Sequence, residues 1–161
     1  MTVSDYNKAV EEHSDSIYRF ILKNLRDGNR ARDIVQDSFE KLWIRVDDVN
    51  AVKAKSYLFS TAYHTMIDVI RKDSKQRLIE DNEYMEPGHN DQYSDLSEIL
   101  NKAISALPED QRSVIMLRDY EGYSYDEIAE ITGLTASQVK VYIYRGRLFL
   151  KKYIGSIEKV I

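Results

Sequence analysis

Five cations and no acid fall between Ala136 and Tyr153: Lys140, Arg145, Arg147, Lys151 and Lys152. Such a run makes or breaks no bond by itself. It can hold phosphates, because lysine and arginine neutralise backbone charge, and arginine also reads base edges. At helical spacing Val139, Ile143, Gly146 and Leu150 share one side, while Ser137, Val141, Tyr144, Arg145 and Leu148 share the other. The N-terminal half of this helix is expected to enter a DNA major groove. The C-terminal half, with Arg145, Arg147, Lys151 and Lys152, is expected to lie near phosphates. Leu148 on the outer face has no place in that scheme.

No comparable set supports enzymatic chemistry. His13, His64 and His89 are isolated and lack metal-ligand spacing. There is no glycine-rich phosphate loop and no nucleophile elbow. The pair Asp47-Asp48 reads as loop. The chain has no cysteine, which excludes disulfides and thiolate metal sites and is compatible with the cytoplasm. We therefore expect no catalysis, no cofactor, no metal and no small-molecule substrate.

The elements that must position the basic helix are all helical. Ser124-Tyr125-Asp126-Glu127 and Thr135-Ala136-Ser137-Gln138 are capping boxes, in which the first side chain bonds forward and the fourth back. They bracket the turn Gly133-Leu134, so Tyr125–Thr132 and the basic helix form a helix-turn-helix. Ile128, Ala129, Ile131, Leu134, Val139 and Ile143 are its expected core. Upstream, Leu96–Leu107 reads as a helix. Pro108 opens the next, which runs to about Tyr120 and is ended by Gly122.

Three further helices are expected before residue 76. One runs from about Ser4 to Leu25, with Val10, Ile17, Ile21 and Leu25 inward and Tyr6, His13 and Phe20 flanking. Asp27-Gly28-Asn29 is a turn. A second helix, about Arg30 to Val46, carries the stripe Ala31, Ile34, Val35, Phe39, Leu42, Trp43 and Val46. After the loop Asp47–Asn50, a third runs from about Val52 to Lys72 with Leu58, Ala62, Met66, Val69 and Ile70 inward. On the second helix Asp33, Gln36, Asp37, Glu40, Lys41 and Ile44 face away from the apolar stripe. On the third, Tyr57, Phe59, Ser60, Tyr63, His64 and Arg71 are expected at or near the outer side, where exposed aromatics suit stacking on unpaired bases.

Charge marks the division between these groups. The 161 residues carry a net charge of −4, which on average disfavours nucleic acid. Residues 1–75 hold 13 basic and 12 acidic side chains, residues 76–95 one and six, residues 96–161 nine of each. The middle stretch, with Asp81, Glu83, Glu86, Pro87, Gly88 and Asp91, is expected to be a flexible acidic linker. The fold class is thus all-α: one helical domain over 1–75, a linker over 76–95, and a helix-turn-helix domain over 96–161. There is no long apolar run to insert in a membrane and no signal-peptide core.

Several of these segments resemble one family. Leu107-Pro108-Glu109-Asp110-Gln111-Arg112, Gly122 to Glu130, Val139-Lys140 and Tyr144-Arg145-Gly146-Arg147 resemble region four of the sigma-70 family. Arg32 to Trp43 resembles its polymerase-binding region; Tyr57-Leu58, Ala62 and Ile67-Asp68-Val69-Ile70-Arg71 resemble its promoter-melting region. The order and the length are similar to the extracytoplasmic-function (ECF) sigma factors. The resemblance implies a winged-helix-like region four that reads the −35 element as duplex through Ser137, Gln138, Lys140, Val141, Tyr144, Arg145 and Arg147. It implies that Asp33, Gln36, Asp37, Glu40 and Lys41 bind the β′ clamp helices of core RNA polymerase, and that region four meets the β flap. It implies that Lys55, Tyr57, Ser60, Tyr63, His64 and Arg71, with the loop Asp47–Lys55, hold melted −10 DNA. It also implies promoter-specific initiation in the cytoplasm and an anti-sigma partner. Departures at His64, Tyr57, Val141 and Tyr142, where the family more often has asparagine, tryptophan, serine and arginine, bear on base preference.

Two other readings differ in class. A polymerase-independent helix-turn-helix regulator would bind duplex alone and would not need the Asp33–Trp43 segment. A pure interaction protein using the acidic stretch would show no DNA affinity.

Overall fold

A computed structural model describes residues 1–77 and 95–158. The chain divides into two units, Met1–Pro87 and Gly88–Ile161. Among the described residues every regular element is helical. Most of the expected linker 76–95 lies outside them.

In the first unit, α1 (Val3–Leu25) starts from a capping box in which Thr2 accepts from the Asp5 N–H and the Asp5 carboxylate accepts from the Thr2 N–H. It stops at Arg26, which takes the left-handed conformation (φ 60°). The next residue already caps α2 (Gly28–Ile44): the Asp27 carboxylate accepts from the Asn29 and Arg30 N–H groups. The expected three-residue turn at 27–29 is therefore shorter. The aspartate satisfies two orphan donors, and Gly28 and Asn29 enter the helix. After α2, the Asn50 side chain accepts from the Val52 N–H and starts a short 3-10 turn, Ala51–Lys53, which runs into α3 (Ala54–Arg77).

The three helices pack pairwise on one another. Their shared core is Ile17, Phe20 and Ile21 from α1, Ala31, Ile34, Phe39 and Leu42 from α2, and Leu58, Phe59, Ala62, Tyr63 and Met66 from α3, all buried. Phe20 is central rather than flanking: its ring meets Phe59 edge-on at 5.7 Å. Val10 and Leu25 are only half-buried, and Ala9 and Asn24 are buried with the core instead. Val35, Val46, Val69 and Ile70 are likewise half-buried.

The second unit contains α4 (Asp95–Ala106), α5 (Glu109–Ile115), α6 (Tyr125–Thr132) and α7 (Ala136–Glu158). Pro108 caps α5 from outside. The helix expected to continue to Tyr120 instead widens into a π turn, Met116–Tyr120, and Gly122 at φ 74° closes it. Both capping boxes form. Ser124 accepts from the Glu127 N–H and Thr135 from the Gln138 N–H, and the Glu127 and Gln138 side chains accept in return. Gly133 (φ 80°) makes the turn between α6 and α7, a conformation that favours glycine.

Helix α7 packs on α4, α5 and α6. Val139 and Ile143 are buried, with Ile128 and Ile131 of α6. Ala129 and Leu134 are half-buried, so the expected core there is narrower by two residues, and Leu150 farther along the inner side of α7 is half-buried too. At Gly146 a Cβ would stand 2.2 Å from Ile115 Cδ1. The missing side chain lets α7 cross close over α5, and that crossing fixes which side of α7 faces outward.

Candidate functional site

The outward side of α7 is the basic side. Ser137, Gln138, Lys140, Val141, Tyr144, Arg145 and Arg147 are all exposed. Ser137, Val141, Tyr144 and Arg145 lie opposite the buried Val139 and Ile143, with Gln138 on one flank of that arc and Lys140 and Arg147 on the other. Their electrostatics differ. The Arg147 guanidinium bonds Asp119 of the π turn at 2.7 Å, and this hydrogen bond raises its pKa above the ordinary arginine value. Arg145 forms no ion pair among the described residues. Lys140 lies 5.9 Å from the Tyr125 ring centre, and Arg118 lies 4.9 Å from it.

Leu148, left without a role by its spacing, is 40% exposed. It lines a shallow cavity of about 300 Å³ with Tyr125, Lys140, Ile143, Tyr144, Arg147 and Lys151. The lining combines aliphatic and aromatic side chains with three cations.

On α2, Asp33, Gln36, Glu40 and Lys41 are exposed and Asp37 is half-exposed, so the five polar residues expected to bind polymerase share the outer face. Asp37 pairs with Lys41 at 3.0 Å. The end of this face is apolar. Ile44 is 80% exposed and Trp43 47% exposed. Trp43 was expected in the core. It lies instead against Tyr6, whose ring centre is 5.0 Å away. The Tyr6 hydroxyl donates to the Phe39 carbonyl, and burial raises the Tyr6 pKa. Trp43 is the residue that spacing missed; the one available signal was Ile44 beside it, since adjacent side chains point about 100° apart.

Helix α3 divides its expected DNA residues. Tyr57, Ser60, His64 and Arg71 fall on one stripe, with His64 and Arg71 exposed and Tyr57 and Ser60 half-exposed. Lys55 stands roughly 160° around the helix from Tyr57, with its ammonium 5.9 Å from the Phe59 ring. Two aromatics expected outward are inside: Phe59 is fully buried and Tyr63 is 8% exposed. The Tyr63 ring still touches His64 at 5.4 Å, so it supports the exposed imidazole from beneath. The described groups include no cluster able to hold a metal ion, and no described helix is long and apolar enough to cross a membrane.

Comparison with known proteins fits both units. Residues 9–76 match the Sigma-70 region 2 model, and residues 97–150 match Sigma-70, region 4. The RNA polymerase sigma factor SigV of Bacillus subtilis is 34% identical over 139 residues, 84% of this chain and 82% of that protein. The chain belongs to the sigma-70 family. It is a sigma factor of the ECF type, which directs RNA polymerase to promoters and initiates transcription without being an enzyme. The ECF RNA polymerase sigma-E factor of Haemophilus influenzae is 30% identical over 165 residues, 92% of this chain and 87% of that one. The sigma factor RpoE, solved in complex with the anti-sigma factor NepR from Bartonella quintana, superposes with a TM-score of 0.78 at 26% identity, covering 95% of this sigma factor and 98% of RpoE.

Proposed function

We propose that the two units divide the work of initiation, with residues 1–75 and 96–161 as the working domains. The outer face of α2 binds core polymerase through Asp33, Gln36, Asp37, Glu40 and Lys41, with Trp43 and Ile44 as its apolar end. Three carboxylates on that face call for a cationic partner surface. The α3 stripe of Tyr57, Ser60, His64 and Arg71 holds melted −10 DNA, with Tyr63 as support; Lys55, on another side of the helix, meets only DNA that passes around the N-terminal end of α3. Helix α7 reads the −35 element as duplex, and its domain meets the β flap. The protein works in the cytoplasm, where polymerase and chromosome are.

The observation that carries this reading is the exposure of all seven α7 residues, with Ser137, Val141, Tyr144 and Arg145 opposite a buried Val139–Ile143 seam. The test is transcription from a genomic fragment library with core polymerase and this protein, with the RNA starts sequenced. Starts should cluster behind one two-part promoter. Arg145→Glu should weaken promoter binding by about 1–3 kcal/mol, or roughly 5- to 150-fold, and output with it. Tight duplex binding without polymerase, and no protein-dependent starts, would instead make it an ordinary regulator.

An anti-sigma partner belongs to the same proposal. The solved neighbour RpoE was captured with the anti-sigma factor NepR. A cavity lined by Leu148, Tyr125 and Ile143 together with Lys140, Arg147 and Lys151 fits an acidic, amphipathic segment better than it fits phosphate. Leu148→Ala should weaken capture of that partner from uninduced cells by roughly tenfold, the order expected when an apolar anchor is lost. It should leave promoter binding within about twofold, because it changes no charge beside Arg147 and Lys151 and removes no donor to phosphate. Equal capture by both forms would move the partner elsewhere.

A further inference from the structure

Polar side chains on a recognition helix read donors and acceptors. Val141 can do neither, yet it is 42% exposed in the second turn of α7. It is held there from behind. Val139 and Ile143, on the opposite side, are 0% and 2% exposed, and Gly146 fixes the crossing over α5. Tyr144, 68% exposed, stands one turn on from Val141 on the same arc. Lys140 flanks this apolar pair on the side of Tyr125, and Arg145 flanks it on the other.

The early turns of such a helix reach base edges, and the only apolar group there is the thymine 5-methyl. Phosphate would leave Val141 unmatched. We propose that Val141, walled by Tyr144, is a specificity-determining residue that recognises a thymine methyl group in the −35 duplex. The proposal rests on the reading that α7 enters the major groove. It adds the chemical class of the base feature that is read.

The test uses holoenzyme assembled from core polymerase and the full chain. Duplex fragments are selected from a random pool, and the preferred −35 segment is resynthesised with each thymine in turn replaced by deoxyuridine, which lacks only the methyl. At one position the wild type should bind the deoxyuridine duplex roughly three- to fivefold more weakly, the value of one methyl group removed from water. Val141→Ser should bind both duplexes alike, and Val141→Ile should keep the preference. Circular dichroism should show all three equally folded, since position 141 is outside the core. Indifference of the wild type to every deoxyuridine, an element without thymine, or an unchanged ratio in Val141→Ser would overturn the proposal and leave α7 as a reader. Loss of all sequence preference would overturn both.

Discussion

Replacing Asp37 by lysine should lower promoter-directed transcription by about 30-fold or more while leaving the N-terminal unit as stable as before. The two effects separate because of where Asp37 sits. Its side chain is half-exposed on the outer face of α2, is not part of the buried core, and pairs with Lys41. The ion pair it makes with Lys41 is four residues on and solvent-exposed, a type worth about 0.3–0.5 kcal/mol. Reversal leaves two like charges one turn apart, which costs a similar few tenths. Against a cationic partner surface the same reversal turns attraction into repulsion at the centre of an interface. Charged contacts of that kind are worth about 2 kcal/mol or more, hence the factor of about 30. Thermal unfolding should show midpoints close together, and co-purification with core polymerase should show the loss. A variant that binds core polymerase like the wild type would remove α2 as the docking face. Extra polymerase should restore part of the output, because the defect is in affinity.

The parts of this fold that are local were legible in the sequence. Both capping boxes of the second unit form as their residues require, because a cap is decided within four residues. The separation of α7 into an inner Val139–Ile143 side and an outer basic side follows from period alone. Features that depend on what packs against a helix were less legible. Phe59 and Tyr63 flank the Leu58–Ala62–Met66 stripe, and a helix facing one neighbour would leave them at its edge. Helix α3 faces both α1 and α2, so its buried arc is wide enough to take them in. Trp43 shows the converse. Its spacing on α2 is that of a core residue, but Tyr6 covers only one edge of it and nearly half of its surface remains exposed. The π turn at Met116–Tyr120 had no signal in residue type. It holds Asp119, which accepts a hydrogen bond from the Arg147 guanidinium of α7.

The inward shift of Phe59 separates two aromatic residues that the sequence had grouped together. Phe59→Ala should destabilise the N-terminal unit by about 3–5 kcal/mol, the usual range for emptying a buried phenylalanine site. A small domain has only about 5–15 kcal/mol in total, so much of the variant should be unfolded near its growth temperature. All functions of that unit would then fall together, polymerase binding included. Tyr57 is half-exposed on the stripe with Ser60, His64 and Arg71, so Tyr57→Ala should cost little stability. It should instead weaken holoenzyme binding to a single-stranded −10 oligonucleotide by about 1–3 kcal/mol, or roughly 5- to 150-fold, as the loss of one stacked base does. Polymerase affinity should stay unchanged. Urea unfolding and oligonucleotide titration on both variants give four numbers that sort the two roles. If Tyr57→Ala unfolds the unit and Phe59→Ala loses only single-strand binding, the assignment of α3's faces is reversed. If both variants fold and bind as the wild type does, Tyr57 stacks on no base, and the exposed His64 and Arg71 of the same stripe would be the next to replace.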